Sequence, residues 1–320
     1  MKISVAVPCF NEEKSVEILY QTIKNLFEIE LKNYSWEIVF CDDYSVDDTR
    51  DIIQGLCAKD HRVKAVFNAS NFGVSRNLFS SLLSCSQDTD AVFLVLGDLQ
   101  DPPELLTEFV KYWRQGYKVI LGQKVSSREN LVNYFLRSVF YKIMDKLSDI
   151  KQLKHCTGYG LYDKDFLNVL RQVEDPSPYL KGILAEYPLK QKLIPYTQNK
   201  SYRGRSNMNL YKNYDFVMQA VTSYTKITMR IASFIGMILI FASILIGFYT
   251  LILKIIHWDR YEIGLAAVMV GLFFIGAVQL FFIGIVGEYI LSLNSRIVKK
   301  PLTVVEKRIN FDEMKKEDGL

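Results

Sequence analysis

The sequence predicts an α/β fold: a mostly parallel sheet with helices on both faces, then interfacial helices and a C-terminal anchor of two transmembrane helices. Three observations carry this. Short apolar runs alternate with helical patterns through the first 124 residues, polar clusters follow the runs, and two charge-free stretches occupy the last third. The runs are ISVAVPCF from Ile3, WEIVFCDD from Trp36, VKAVFNAS from Val63, AVFLVLGD from Ala91 and YKVILGQK from Tyr117. Runs this apolar suit parallel strands covered on both faces. Between them, EKSVEILYQTIKNLF (13–27), Asp47–Ala58 and Val74–Ser84 have helical spacing.

Right-handed crossovers bring the C-terminal ends of such strands to one edge, where ligands bind. The polar clusters Asn11-Glu12-Glu13, Asp42-Asp43, Asp98 with Gln100, and Gln123-Lys124 all follow the runs. That edge is the expected site. In FLVLGDLQDPPELL (93–106), Asp101, Pro102 and Glu104 read as a helix start, with Asp at the N-cap, Pro at N1 and Glu at N3. Asp98 and Gln100 are left without a structural job. Two oxygen donors on alternate residues past a strand end suit Mg²⁺ or Mn²⁺ with positions open for diphosphate. Asp42 and Asp43 suit a base or ribose, whereas Asp47 and Asp48 read as turn and cap residues. Glycine-rich phosphate loops of the Walker or dinucleotide type are absent.

The charge-free stretches are 231–253 and 263–286, each long enough to cross about 30 Å of hydrocarbon. Basic residues are denser outside the pair than in the loop between, so the positive-inside rule places both termini in the cytoplasm. The N-terminus does not read as a signal peptide. The domains expected are a cytoplasmic catalytic domain (1–210), a juxtamembrane amphipathic helix (211–230), the two spans within 231–286, and a cytoplasmic tail (287–320). Residues 130–147 and 210–230 have the mixed apolar and basic spacing of helices at a membrane surface. Ala267 and Gly271 give a small-residue spacing that suits helix association. The net charge of +4 is too mild for a nucleic-acid binder. The five cysteines have no paired short spacing and read as reduced thiols.

VAVPCFNEE (5–13), EIVFCDDYSVDDT (37–49), NFGVSRN (71–77), LGDLQDPPELL (96–106), KSYRGRSN (200–207) and GEYILSLNSRIVKKPLTVV (287–305) together carry a resemblance covering nearly the whole chain. The sequence resembles the family 2, inverting, GT-A-fold glycosyltransferases that load a sugar onto a polyprenyl phosphate, such as bactoprenol glucosyltransferases and dolichol-phosphate mannose synthases. The resemblance implies that Pro8, Phe10, Glu12 and Gly97 touch a nucleotide sugar, with Asp42 or Asp43 facing base and ribose. It implies that Asp98 and Gln100 hold the metal, and that Arg203, Arg205 and Lys124 grip diphosphate or lipid phosphate. UDP-glucose is the expected donor, ahead of UDP-N-acetylglucosamine and UDP-galactose. Undecaprenyl phosphate is the expected acceptor, and a homo-oligomer such as a tetramer in the plasma (inner) membrane the expected assembly.

The chain departs from the family pattern at two acids. Leu96 stands where the metal motif has its first aspartate, and Gly158 stands where a catalytic acid has been proposed. A phosphate monoester acceptor is anionic at neutral pH and needs no general base, which makes the second loss tolerable. His61, His155 and His257 lie in no supporting constellation. A hydroxyl acceptor would need a base, so Gly158 counts against that alternative. A membrane scaffold that only binds nucleotide sugar is the alternative outside catalysis, and a transporter is disfavoured because two helices enclose no pathway.

Overall fold

The computed structural model describes residues 1–126, 156–199 apart from Ser177 and Pro188, scattered positions between 234 and 256, and 265–311 apart from Lys299. Two compact units divide the chain: Met1–Ser138, Gln152–Asn209 and Val298–Leu320 in one, Val139–Lys151 and Leu210–Ile297 in the other.

In the first unit the expected alternation is present. Strands β1 (Lys2–Cys9), β2 (Ser35–Asp42), β3 (Val63–Asn68), β4 (Ala91–Leu94) and β5 (Val119–Ser126) alternate with helices α1 (Val16–Ile29), α2 (Thr49–Lys59), α3 (Val74–Leu83) and α4 (Leu106–Arg114). Then come β6 (Cys156–Asp163), α5 (Lys164–Arg171), α6 (Leu180–Glu186) and β7 (Gln191–Thr197). The last strand, β8 (Val305–Ile309), follows the long C-terminal helix. One eight-stranded sheet results, in the order β7-β5-β6-β4-β1-β2-β3-β8. β1 pairs in parallel with β2 and β4, and β2 with β3; β6 and β8 run antiparallel to their neighbours. This is the α/β architecture the sequence predicts, a mostly parallel sheet with helices between its strands.

Each central strand is apolar on both faces because each face has its own core. Val5, Ile38, Phe93 and Phe109 belong to one cluster; Ala6, Val39, Leu94 and Phe166 belong to the other. A carboxylate is buried at the other end of the strands. Glu37, 3% exposed, accepts from Ser4, from the Ser86 amide and hydroxyl, and pairs with Lys2 at 3.1 Å and Lys64 at 2.9 Å. Burial alone would raise this carboxyl, but the Ser86, Ser4 and Lys64 contacts outweigh it and pull it down to about 2.

Three expectations change. Gln123 and Lys124 lie within β5, not after it, because β5 continues beside β7 as far as Lys124↔Tyr196 and Ser126↔Thr197. Part of the expected C-terminal tail is structured: Val305–Ile309 add β8 to the free edge of β3, and Leu302, Val305 and Phe311 pack on the core. The second charge-free stretch is helical, but its helix α7 (Leu265–Ile297) continues through Glu288.

In the second unit, α7 contains one stretch, Phe274–Leu291, with a mean hydropathy of 1.9 and no buried residue, long and apolar enough to cross a membrane. It is the one candidate span among the described residues. Phe234, Met237 and Leu245 of the first stretch are helical and exposed, and most of 231–253 lies outside the described residues. The interfacial segments 130–147 and 210–230 lie wholly outside them.

Candidate active site

Of the four non-glycine residues with left-handed backbone among those described, three lie in the loops that follow β1, β2 and β4. Asn11 after β1 has φ 56°, Tyr44 after β2 has φ 66°, and Leu99 after β4 has φ 55°. Asparagine tolerates this conformation; for tyrosine and leucine it stores strain, which surrounding contacts must hold. All three fall at the edge where the polar clusters were expected.

The β1–α1 and β2–α2 loops are sewn together. The Asn11 amide donates to Ser45 Oγ at 2.8 Å, the Val46 amide to Asn11 Oδ1 at 2.9 Å, and the Glu12 amide to Thr49 Oγ1 at 2.7 Å. Asp47 accepts from the Thr49 amide at 3.1 Å and the Glu13 amide at 3.3 Å, the structural role its turn position predicts. The β4 chain then passes close to this pair. Gly97 donates to Pro8 O at 3.3 Å, and a side chain there would meet Cys9 Sγ and Glu12 Cγ at 3.2 Å. Pro8, Glu12 and Gly97 are thus brought together, with Asp98 next along the chain and Phe10 half-buried on the β1–α1 loop.

Asp42 and Asp43 are both fully buried and occupied by protein donors. Asp42 accepts from the Ser45 amide and hydroxyl and from Arg50 Nε at 2.9 Å. Arg50 also donates to Asn68 O at 3.1 Å and meets Glu306 of β8 at 2.8 Å. Asp43 accepts from the amides of Phe72 at 3.0 Å and Gly73 at 2.8 Å and from Asn68 Nδ2 at 3.0 Å. Burial raises the Asp43 carboxyl, against the pull of these donors. Its position therefore fixes the Asn71–Gly73 loop to the end of β2. Asn77 completes the frame by donating to the carbonyls of Cys9 and Cys41.

The turn after β4 carries Asp98, half-buried, whose Oδ1 accepts from the Gln100 amide at 3.1 Å. The predicted helix cap at Asp101 is not formed. The following turn is a 3₁₀ segment, Pro103–Leu105, capped by Pro102 without a side-chain bond. Asp101 instead points inward, 0% exposed, and its Oδ1 accepts from Tyr196 Oη and, at 3.5 Å, from Gln198 Nε2. Its Oδ2 is buried without a partner among the described residues. Burial raises this carboxyl and Asp98 adds to the rise; the Tyr196 bond and the charge of Lys124 oppose it. Glu104 is left on the surface. Gln198 Nε2 also donates to Gln100 Oε1 at 2.7 Å, and the Asn199 amide donates to Gln100 O at 2.9 Å. Tyr159 of β6 donates to Pro102 O and stacks edge-on with Tyr196 and Phe93.

Gly158 has φ 99°, and a side chain there would meet Leu180 at 3.2 Å, so the position that carries an acid in the family pattern is shaped here for glycine. Arg203 and Arg205 lie outside the described residues. Sequence reasoning missed Arg50, Asp101, Tyr196 and Gln198 as site-building residues. Only Asp101 carried a signal, its place beside Gln100.

The donors at the β4 turn are carboxylate and amide oxygens, a set suited to a hard divalent cation. No cluster of three or more His, Cys, Asp or Glu residues that could hold a metal alone occurs among the described residues. Asp98 and Gln100 fit a cation that draws its other ligands from a bound diphosphate and water; the Gln100 carbonyl oxygen, with two lone pairs, keeps one acceptor position beside its bond from Gln198.

Residues 4–171 match the family model described as "Glycosyl transferase family 2". The bactoprenol glucosyl transferase of Shigella phage SfX is 30% identical over 309 residues, covering 96% of this chain and all of that protein. A prophage bactoprenol glucosyl transferase homolog of Escherichia coli K12 is 29% identical over 308 residues, covering 96% and 99%. Among solved structures, residues 1–349 of Staphylococcus aureus TarS, in complex with UDP-GlcNAc, align at 18% identity over 69% of this chain and 66% of that one, with a TM-score of 0.46.

Proposed function

The chain belongs to glycosyl transferase family 2, and from that premise we propose that it transfers glucose from UDP-glucose to undecaprenyl phosphate at the cytoplasmic face of the membrane. The observation that carries this reading is the extent of the likeness. The alignment with proteins named bactoprenol glucosyl transferase runs over 96% of the chain, past the family domain and through the region of α7. The apolar, unburied stretch in α7 supports a membrane acceptor, and the apolar composition of 231–253 supports a second span.

The chemistry asks little of the protein. A phosphate monoester is already a nucleophile at neutral pH, so attack on the anomeric carbon needs no base at Gly158. The protein's tasks are to align acceptor and donor and to neutralise the leaving diphosphate. Pro8, Phe10, Glu12 and Gly97 would line the nucleotide side, with Asp42 and Asp43 setting the loops around the base and ribose. Asp98 and Gln100 would hold Mg²⁺ or Mn²⁺, which when bound supplies charge neutralisation at the diphosphate. Lys124, Arg203 and Arg205 would bear the remaining phosphate charge. Attack from the face opposite the nucleotide inverts the anomeric centre. Association through the membrane helices would give a homo-oligomer.

Purified membranes supplied with undecaprenyl phosphate and a panel of radiolabelled nucleotide sugars test the proposal. Label extracted with the lipid from UDP-glucose, dependent on Mn²⁺ and lost in Asp98→Asn, is the expected result. Bound nucleotide with no lipid label from any donor would refute it.

A further inference from the structure

We infer that Gln198, at the end of β7, is a positioning residue that aims Gln100, and so sets the affinity of the β4 turn for its divalent cation. The inference rests on the metal role proposed for Asp98 and Gln100. It is carried by where the end of β7 lands. Gln198 Nε2 reaches Gln100 Oε1 at 2.7 Å, and the next residue, Asn199, donates its amide to Gln100 O at 2.9 Å. Side chain and backbone of one residue are thereby held by two consecutive residues, 98 and 99 positions later. Tyr196, two residues earlier on β7, holds Asp101 through its hydroxyl.

Such a clamp has work to do. Leu99, between the two proposed ligands, keeps φ at 55°, a conformation that relaxes unless its neighbours are fixed. The Asp98 bond to the Gln100 amide spans only this turn and moves with it. Contacts from β7 tie the turn to the sheet, since β7 pairs with β5 from Gln191 to Thr197. Gln100 can present its oxygen to a cation only with its amide turned one way, and the Gln198 amide, a donor facing that oxygen, selects this orientation. Partners of this kind typically change metal affinity by about 10- to 100-fold when removed.

Electron paramagnetic resonance titration of Mn²⁺ into the full-length, UDP-loaded protein in detergent tests the inference. Gln198→Leu is expected to weaken Mn²⁺ binding about tenfold, and the transfer rate it loses is recovered by raising Mn²⁺. Gln191→Leu removes an equivalent amide from the same strand, whose bond is to Leu184 O at 2.7 Å, and should leave the titration at the parent position. Tyr196→Phe, which keeps the ring and removes one hydroxyl, should weaken Mn²⁺ binding in the same direction and serves if Gln198→Leu does not fold. Parent-like Mn²⁺ binding in a folded Gln198→Leu, or an equal loss in Gln191→Leu, would overturn the inference. Asp98→Asn separates the two layers. If it abolishes binding while Gln198→Leu does not weaken it, only the clamp fails; if it leaves binding intact, the metal site itself fails.

Discussion

Replacing Arg50 with leucine should be among the costlier single changes at the loop-bearing edge of the sheet, and its partners set the magnitude. Asp42 is 0% exposed and has one cationic partner, Arg50 Nε at 2.9 Å. Without the guanidinium, the carboxylate keeps only the Ser45 amide and hydroxyl. Breaking a buried pair from one side costs about 3–5 kcal/mol; with the Arg50 side chain 24% exposed, about 3 kcal/mol is the fitting end of that range. The other half of the bridge is different. Glu306 is 53% exposed, and an exposed pair is worth about 0.5 kcal/mol, so Glu306→Gln should barely register. Urea unfolding followed by the fluorescence of Trp36 and Trp113, both in the sheet-bearing unit, reads the difference. Removing both charges in Asp42→Asn/Arg50→Leu should recover part of the loss, because no uncompensated charge stays buried. Equal stabilities for Arg50→Leu and Glu306→Gln, or simple additivity in the double variant, would refute this reasoning.

The Glu37 carboxyl sits at about 2 against an ordinary 4.5. Its contribution is complete above pH 4.5 and is lost as the pH falls toward 2, so Glu37→Gln should flatten the stability profile across that window, by about 3 kcal/mol in total. Parallel acid-denaturation profiles for parent and variant would contradict it. Gly122→Ala drives a methyl into the rings of Tyr159 and Tyr196; a stability loss of about 1–3 kcal/mol, with a fall in transfer rate because Tyr196 holds Asp101, is expected from denaturation and lipid-label assays. Asp43→Asn should raise the KM for the nucleotide sugar more than it lowers kcat. Its carboxylate positions the Phe72 and Gly73 amides, and steady-state kinetics separates the two effects.

The first five strands were legible because the buried stretch of each is largely apolar on both faces, with few polar interruptions such as Ser4 in β1 and Glu37 in β2. The strands not foreseen lack that signature. β6, CTGYGLYD, contains two glycines; Gly160 is there because a side chain would collide with the Ile120 carbonyl of the neighbouring strand. β7 carries Pro195, admissible on a sheet's outermost strand, and β8, VEKRI, on the opposite edge has three consecutive charged residues between its two apolar ends. Local pattern also located the turn holding Asp98 and Gln100. It misread Asp101, since a cap is decided within four residues while the partner that draws this carboxylate inward, Tyr196, is 95 positions away. Asp42 and Asp43 were legible as a pair at a strand end, but not as the anchors of two loops, because Arg50 and Gly73 are recruited by the folded sheet.

The position of β8 gives the catalytic sheet a history. Its residues follow α7 in the chain, so during synthesis the apolar helix leaves the ribosome before the sheet's last strand does. Until residue 309 emerges, β3 exposes a row of unpaired amides and carbonyls, the kind of edge through which nascent chains associate. Synthesis of α7 and closure of that edge therefore occur in a fixed order, and a chain stalled between them has its sheet-bearing unit nearly complete and the β3 edge uncovered.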